Sequence, residues 1–190
     1  FQYPVRRGGK THLEDYSEQS ILNARDMGLD AVICIGGDGT MTVAHKMMQK
    51  GLNVVGVPKT IDNDLFGTDV TFGYDTAMAI AAEAIDRIHT TAMSHHRVML
   101  VEVMGRYAGW LTLGAGMASG ADIILLPEFE YDLDIIAEVV KERSYRGRRF
   151  SIIAVSEGAK PRGGELTVAR TIENSPEAIR LGGVALKLGN

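Results

Sequence analysis

Five short apolar runs recur along this chain, and each is followed within two residues by glycine, charge or both. They are Ala31–Ile35, Asn53–Val57, Arg97–Val103, Asp122–Leu126 and Phe150–Val155, all rich in Val, Ile and Leu. Runs this short, and apolar on both faces, read as strands covered by helices on each side. Helical spacing marks Leu13–Met27, Thr42–Gln49, Asp75–Thr90, Ala108–Ala118 and Asp132–Arg143. The alternation predicts an α/β fold, a largely parallel sheet with helices on both faces and right-handed crossovers. A chain of 190 residues fits one compact domain with a single core. Its loosest stretch is Gly158–Gly164, with two further breakers in Pro161 and Gly163, and it reads as a loop.

In sheets of this kind ligands gather at the carboxyl ends of the strands. The first run leads into Gly36-Gly37-Asp38-Gly39-Thr40, the second into Pro58-Lys59-Thr60-Ile61-Asp62-Asn63-Asp64. The third leads into Met104-Gly105-Arg106, the fourth into Pro127-Glu128, the fifth into Ser156-Glu157-Gly158. The same end of every strand therefore carries groups suited to an active-site rim.

Charge and composition remove other classes. The formal charge of −4 gives no general attraction to nucleic acid or to an acidic membrane. The basic group Arg143, Arg146, Arg148 and Arg149 reads as a solvated helix end. No apolar run approaches the roughly 20 residues needed to span a bilayer, and Phe1-Gln2-Tyr3-Pro4 lacks a signal-peptide layout. Cys34, the one cysteine, excludes an intrachain disulfide and reads as a buried, inert thiol, which suits a reducing cytoplasm. His95 and His96 read as structural, because their adjacency does not match a zinc set. The methionines read as core filler. Phe1, inside a polar segment, and the helical stretch Ala178–Leu188 read as cut ends, so the chain is expected to be an internal piece of a longer protein.

The glycines of Gly36–Thr40 let the backbone approach an anion, and the helix after them points its positive end the same way. An acidic residue beside phosphate calls for a shared divalent cation, so Asp38 points to Mg²⁺. A tight turn with Asp38 as helix cap is the other reading. In Thr60–Asp64, alternate side chains of an extended loop face one way, which aims Asp62 and Asp64 into one site. One carboxylate can take a proton from an attacking hydroxyl while the other helps hold metal or water. An ordinary acidic turn is the competing reading; an EF-hand is excluded by the missing central Gly and distal Glu. Arg106 opens a helix, where it and nearby N–H groups can grip phosphate or hydroxyl. Glu157 ends a buried strand, as a sugar-hydroxyl ligand or as a cap, and Arg97 fits an exposed strand start.

Taken together, GGDGT at Gly36–Thr40, PKTIDND at Pro58–Asp64, Gly73-Tyr74-Asp75-Thr76-Ala77 and VEVMGRYAGWLTL at Val101–Leu113 resemble the 6-phosphofructokinases in order and spacing. GGDGT alone also occurs in NAD kinases and diacylglycerol-type lipid kinases, but those lack the TIDND and MGR loops at this spacing. The resemblance implies phosphoryl transfer to the 1-hydroxyl of fructose 6-phosphate, giving fructose 1,6-bisphosphate. It implies that Gly37, Asp38, Gly39 and Thr40 bind the donor, with Asp38 and Asp64 serving the Mg²⁺. It implies Asp62 as the proton acceptor, with Thr60 and Lys59 at the transferring group. Thr60, Ile61, Asp62, Met104, Gly105, Arg106 and Glu157 then form the sugar side. Arg97 matches an arginine that family members lend to a neighbouring subunit, which implies a homo-oligomer, at least a dimer.

Donor choice turns on two residues. Pyrophosphate users of the family carry Asp where Gly39 stands, and Gly39 leaves room for ATP. Lys59 occurs in the pyrophosphate enzymes and in a subgroup of ATP enzymes, so ATP is favoured and pyrophosphate is the alternative. Asp122, Arg146 and Arg148 resemble effector-phosphate ligands of the bacterial ATP enzymes, although His89 replaces an arginine of that set. The family's glycine-rich N-terminal strand-loop and its later His and Arg sugar-phosphate ligands are not in this sequence, so the chain alone is expected to be inactive. A catalytically silent subunit binding sugar phosphate is a second class of reading, which the presence of Asp38 and Asp62 disfavours.

Overall fold

Gly8 and Gly9 both take positive φ, +58° and +79°, and reverse the chain between strands β1 (Gln2–Arg7) and β2 (Lys10–Asp15). Two residues of that conformation make the tight turn whose twist suits antiparallel strands, and Arg7 pairs with Lys10 across it. The helix expected from Leu13 starts later as a result. Asp15 Oδ1 accepts the Ser17 N–H at 2.9 Å, ending β2 and opening α1 (Ser17–Asp26).

The computed structural model describes residues 2–172, 175 and 178–190, so Phe1 lies outside the described residues. The chain forms two compact units, Phe1–Thr60 and Ile61–Asn190, rather than the one domain expected from length. After α1, the first unit runs through β3 (Val32–Gly36), α2 (Asp38–Gln49) and β4 (Val54–Thr60). β3 and β4 pair in parallel, from Val32 opposite Val54 to Gly36 opposite Pro58. Ala44 and Met47 are the buried positions of α2. A Cβ at Gly56 of β4 would lie 2.7 Å from Met41 Sδ, so this glycine lets the helix come close. One face of the strand pair is open, with Ile33 66% and Ile35 62% exposed. Alternation therefore leaves Cys34 half-buried rather than enclosed.

The second unit contains β5 (Phe72–Gly73), α3 (Tyr74–His95), β6 (Val98–Val103), α4 (Trp110–Ala118) and β7 (Ile123–Leu125). These are followed by α5 (Leu133–Tyr145), β8 (Ser151–Ser156), β9 (Val168–Thr171), β10 (Ile179–Leu181) and α6 (Val184–Gly189). β10 takes the first part of the stretch expected to be helical from Ala178. β6, β8 and β7 form a parallel sheet with β8 central, and every residue of β8 is buried. The pleat divides its side chains. Ile152 and Ala154 join Ile85, Ala92 and Ala115 of α3 and α4. Ile153 and Val155 join Leu125 and Val184, with Ile136 and Val140 of α5 packed against them. This sheet carries helices on both faces, which explains why its strands read as continuously apolar.

Asp122 anchors the sheet from below its strand ends. Its carboxylate meets Arg143 Nη2 at 2.5 Å and accepts the Ile152 N–H at 2.9 Å. Arg143 is thus a half-buried partner, unlike the solvated arginine expected from sequence. Arg146 pairs on the surface with Glu142. His89 sits 2.8 Å from the Ser119 carbonyl and edge-on to Phe150, a structural use of the ring.

Candidate active site

Parallel pairing brings the ends of β3 and β4 side by side within the first unit, with Gly36 opposite Pro58. α2 begins at Asp38, a turn earlier than its apolar pattern suggests, with Gly37 as its extended N-cap. Asp38, Gly39 and Thr40 therefore form the first helical turn, where backbone N–H groups are unpaired and favour an anion. Gly36 is required here: a Cβ would stand 2.2 Å from Thr40 Oγ1. Gly37 faces Thr60, whose Cβ would lie 3.4 Å from a Cβ placed on it, and around Gly39 a Cβ would meet nothing within 4 Å. Asp38, Gly39, Thr40 and Lys59 are exposed, and Thr60 is half-buried.

In the second unit the ends of β6 and β8 are tied together. Ser156 Oγ donates to the Gly105 carbonyl at 2.6 Å. The Glu157 N–H reaches the Val103 carbonyl at 2.9 Å, and the Gly158 N–H reaches Gly105 at 3.0 Å. Gly105 takes φ +153°, and a Cβ there would stand 2.4 Å from Ser156 Oγ. Glu128, at the end of β7, accepts the Gly109 N–H at 2.7 Å beside the start of α4. Arg106 donates through Nη1 to the Ile179 carbonyl at 3.1 Å, with its guanidinium 5.2 Å from the Tyr107 ring centre.

Glu157 reports what converges there. Burial pushes its carboxyl pKa above the ordinary value, and the Gly105 N–H bound to it acts the other way. The charges of Glu102 and Asp62 raise it further, while Arg106 lowers it. Asp62, Arg106 and Gly105, all expected on the sugar side, thus each lie within electrostatic reach of Glu157. Ile61 is half-buried beside Asp62, and Met104 is exposed at the rim.

The loop that carries Asp62 and Asp64 is not the extended one expected. Asn63 between them takes φ +53° and breaks the alternation. Its Oδ1 accepts the Thr71 N–H at 2.8 Å, closing the loop. Asp64 instead lines a depression of about 470 Å³ with Phe66, Asp69 and Trp110. Arg97 is also apart: it precedes β6, whereas Arg106 follows it, and such a strand separates its ends by about 20 Å.

Asp38 and Asp64 are exposed carboxylates, hard oxygen donors of the kind Mg²⁺ takes in ones or twos alongside substrate phosphates. Among the described residues no group of three or more His, Cys, Asp or Glu could hold a metal ion. Each carboxylate by itself suits the single oxygen ligand that a phosphate-bound metal takes from protein. Sequence reasoning missed Glu102, Ser156 and Asn63 as supports. Only Asn63, inside an acidic loop and tolerant of left-handed φ, left a local signal.

The sequence profile described as Phosphofructokinase matches residues 5–183. The chain is 56% identical over 189 residues to the ATP-dependent 6-phosphofructokinase 2 of Clostridium perfringens, covering 99% of this chain and 52% of that protein. It is 51% identical over 165 residues to the pyrophosphate–fructose 6-phosphate 1-phosphotransferase of Amycolatopsis mediterranei, covering 87% and 48%. The phosphofructokinase of Pichia pastoris in the T-state matches with a TM-score of 0.72 at 37% identity, over 80% of this chain and 19% of that one. The chain spans about half the length of the curated relatives it matches. No helix among the described residues is long and apolar enough to cross a membrane. With its motifs standing at the strand ends and nearly its whole length matched, this chain belongs to the phosphofructokinase family.

Proposed function

We propose that the chain supplies the central part of a longer enzyme that transfers a phosphoryl group from ATP to the 1-hydroxyl of fructose 6-phosphate. The observation that carries this reading is the grouping of Asp62, Arg106 and Glu157 around the tied ends of β6 and β8. Arg106 offers charge-assisted hydrogen bonds to a phosphate or hydroxyl, and Glu157 accepts from sugar hydroxyls. Asp62 takes the proton of the attacking hydroxyl, a weak nucleophile that gains from a positioned base. Thr60 and Ile61 continue directly into it, and Met104 and Gly105 line the sugar loop. On the donor side, the first turn of α2 binds phosphate through Gly37, Asp38, Gly39 and Thr40. Lys59 neutralises charge as the phosphoryl group moves. Asp38 and Asp64 would hold Mg²⁺, which when bound neutralises donor phosphate charge.

Pyrophosphate as donor is the second reading, favoured by Lys59 and by the identity to the Amycolatopsis mediterranei protein. Arg97, at the far end of β6 from Arg106, supports a homo-oligomer in which it serves a neighbouring subunit. The reading also carries a cytoplasmic setting, in keeping with a chain whose one cysteine has no partner for a disulfide. Because the chain spans half its relatives' length, we expect the 190-residue piece alone to be inactive.

The test is Asp62→Asn in the full-length protein. Loss of a general base should lower kcat by ~10²–10⁴ with little change in sugar affinity. A kcat within threefold of wild type removes Asp62 from the mechanism. A wild-type protein that binds fructose 6-phosphate but turns over with neither ATP nor pyrophosphate would favour the silent subunit.

A further inference from the structure

Glu102 lies on β6, two residues before the Met104-Gly105-Arg106 loop, and none of the family motifs assigns it a role. Its carboxylate is fully engaged. Oε1 accepts the Gly183 N–H at 2.8 Å, and Oε2 accepts the same N–H at 3.1 Å and that of Ala185 at 2.9 Å. A carboxylate at this place suits the N-terminal end of α6, whose N-cap Gly183 has φ +91° and no side chain to cap with. Gly182, at φ +138°, lets the chain pass close to Glu102, since a Cβ there would lie 3.3 Å from Oε1.

Four residues on, Arg106 donates to the carbonyl of Ile179. The segment Ile179–Ala185 is therefore held at both ends by residues that flank the sugar loop. Ile179 also pairs with Thr171 through β9, and Val184 is fully buried in the core beside α5. The segment is a strap anchored along its length, and its Ile179 carbonyl accepts from one Arg106 nitrogen.

We propose that Glu102 is a positioning residue for the sugar-phosphate side: by anchoring Gly183 and Ala185 it sets the strap whose Ile179 carbonyl orients the Arg106 guanidinium beside Glu157. This rests on the proposed sugar-kinase reading. Glu102 also acts through charge, as one of the groups facing Glu157, the others being Asp62, Arg106 and the Gly105 N–H.

The experiment compares wild type, Glu102→Gln and Glu102→Ala in the full-length protein. KM for fructose 6-phosphate should rise roughly tenfold in Glu102→Gln, the scale of a misaimed charged contact, while kcat and donor KM stay within about threefold. Removing the negative charge should also move the acid limb of kcat/KM for the sugar to lower pH, because the Glu157 carboxylate becomes easier to form. Glu102→Ala should raise the sugar KM further and speed amide exchange at Gly183 and Ala185. A merely structural role would lower Tm and weaken sugar and donor alike with no movement of the acid limb, and that result overturns the proposal. So does a sugar KM within twofold of wild type in Glu102→Ala. If the wild-type protein does not use fructose 6-phosphate, the kinase reading fails by itself. The coupling is then read from the carbon-13 titration of the Glu157 carboxyl in a labelled sample. A midpoint unchanged by Glu102→Gln would overturn the inference.

Discussion

The Ser156 hydroxyl donates to the Gly105 carbonyl across 2.6 Å, joining the loop after β6 to the loop after β8. The Gly158 N–H adds a second bond to that carbonyl at 3.0 Å. Arg106 and Glu157 therefore sit on one backbone unit rather than on two independent loops, and on the proposed reading a substitution in this unit acts on the sugar side as a whole.

Gly158 is the most sensitive point of that unit. A Cβ there would stand 2.0 Å from the Arg106 carbonyl oxygen and 2.8 Å from that of Gly105. Both atoms are backbone and cannot step aside as a side chain would. Gly158→Ala in the full-length protein should raise KM for fructose 6-phosphate at least about tenfold, with a smaller effect on the donor. Ser156→Ala keeps the Gly158 bond and should cost only about 1 kcal/mol of stability. Steady-state kinetics and denaturant unfolding check the pair.

Glu157 should trade stability for binding. Its folded-state pKa is raised, first by burial and then by Glu102 and Asp62. Between the ordinary value and the raised one, the folded state holds the proton more tightly than the unfolded state, so stability falls as pH rises through that window. At pH near 8 the buried charge is a net cost. Glu157→Gln should therefore melt higher than wild type at about pH 8, with the gap narrowing toward about pH 4, below the ordinary carboxyl range, as wild type takes up its proton. It should bind sugar more weakly. Melting curves at the two pH values give the answer, and an equal gap at both would contradict it.

Asp122 and Arg143 are 17% and 24% exposed at the side chain, and Asp122 also accepts the Ile152 N–H. Removing the carboxylate leaves a half-buried guanidinium and a strand N–H without it. Asp122→Ala should cost about 2–4 kcal/mol by denaturant unfolding. Arg146→Ala, which breaks an exposed pair with Glu142, should cost under about 0.5 kcal/mol. Comparable losses in the two variants would mean that the buried pair adds nothing.

On the proposed reading Gly39 bears on the donor. A Cβ there would meet nothing within 4 Å, so Gly39→Asp should fold normally. A carboxylate about 4 Å from a phosphate oxygen costs ~4 kcal/mol at an effective dielectric near 20. Pyrophosphate has no α-phosphate or nucleoside to meet it. Measured kcat/KM should favour ATP in wild type, and the variant should lose that preference. A wild type that strongly prefers pyrophosphate would show that Gly39 is not the determinant.

Local pattern was enough to identify β3, β4, β6, β7 and β8 to within a few residues, because apolar runs and glycine breaks are properties of adjacent residues. It also located Gly36–Thr40, Pro58–Asp64 and Met104–Arg106 at strand ends, since chain order alone dictates which residues come after a strand. The hairpin around Gly8-Gly9 was legible in principle, as a Gly-Gly pair between two short polar-apolar runs. What local pattern cannot hold is the partner of a side chain. Ser156 and Gly105 are 51 positions apart, and Glu102 and Gly183 are 81. They meet only because β8 lies between β6 and β7 and α6 packs back on the sheet. Asp62 and Asp64 look equivalent in sequence, and the left-handed turn at Asn63, stitched to Thr71, sends them to different surroundings. The types of chemical group came from the amino acids themselves. Which carboxylate is buried, which is charged by its neighbours and which is spent on a backbone N–H was decided by tertiary packing, because desolvation and hydrogen bonding depend on what surrounds an atom in space.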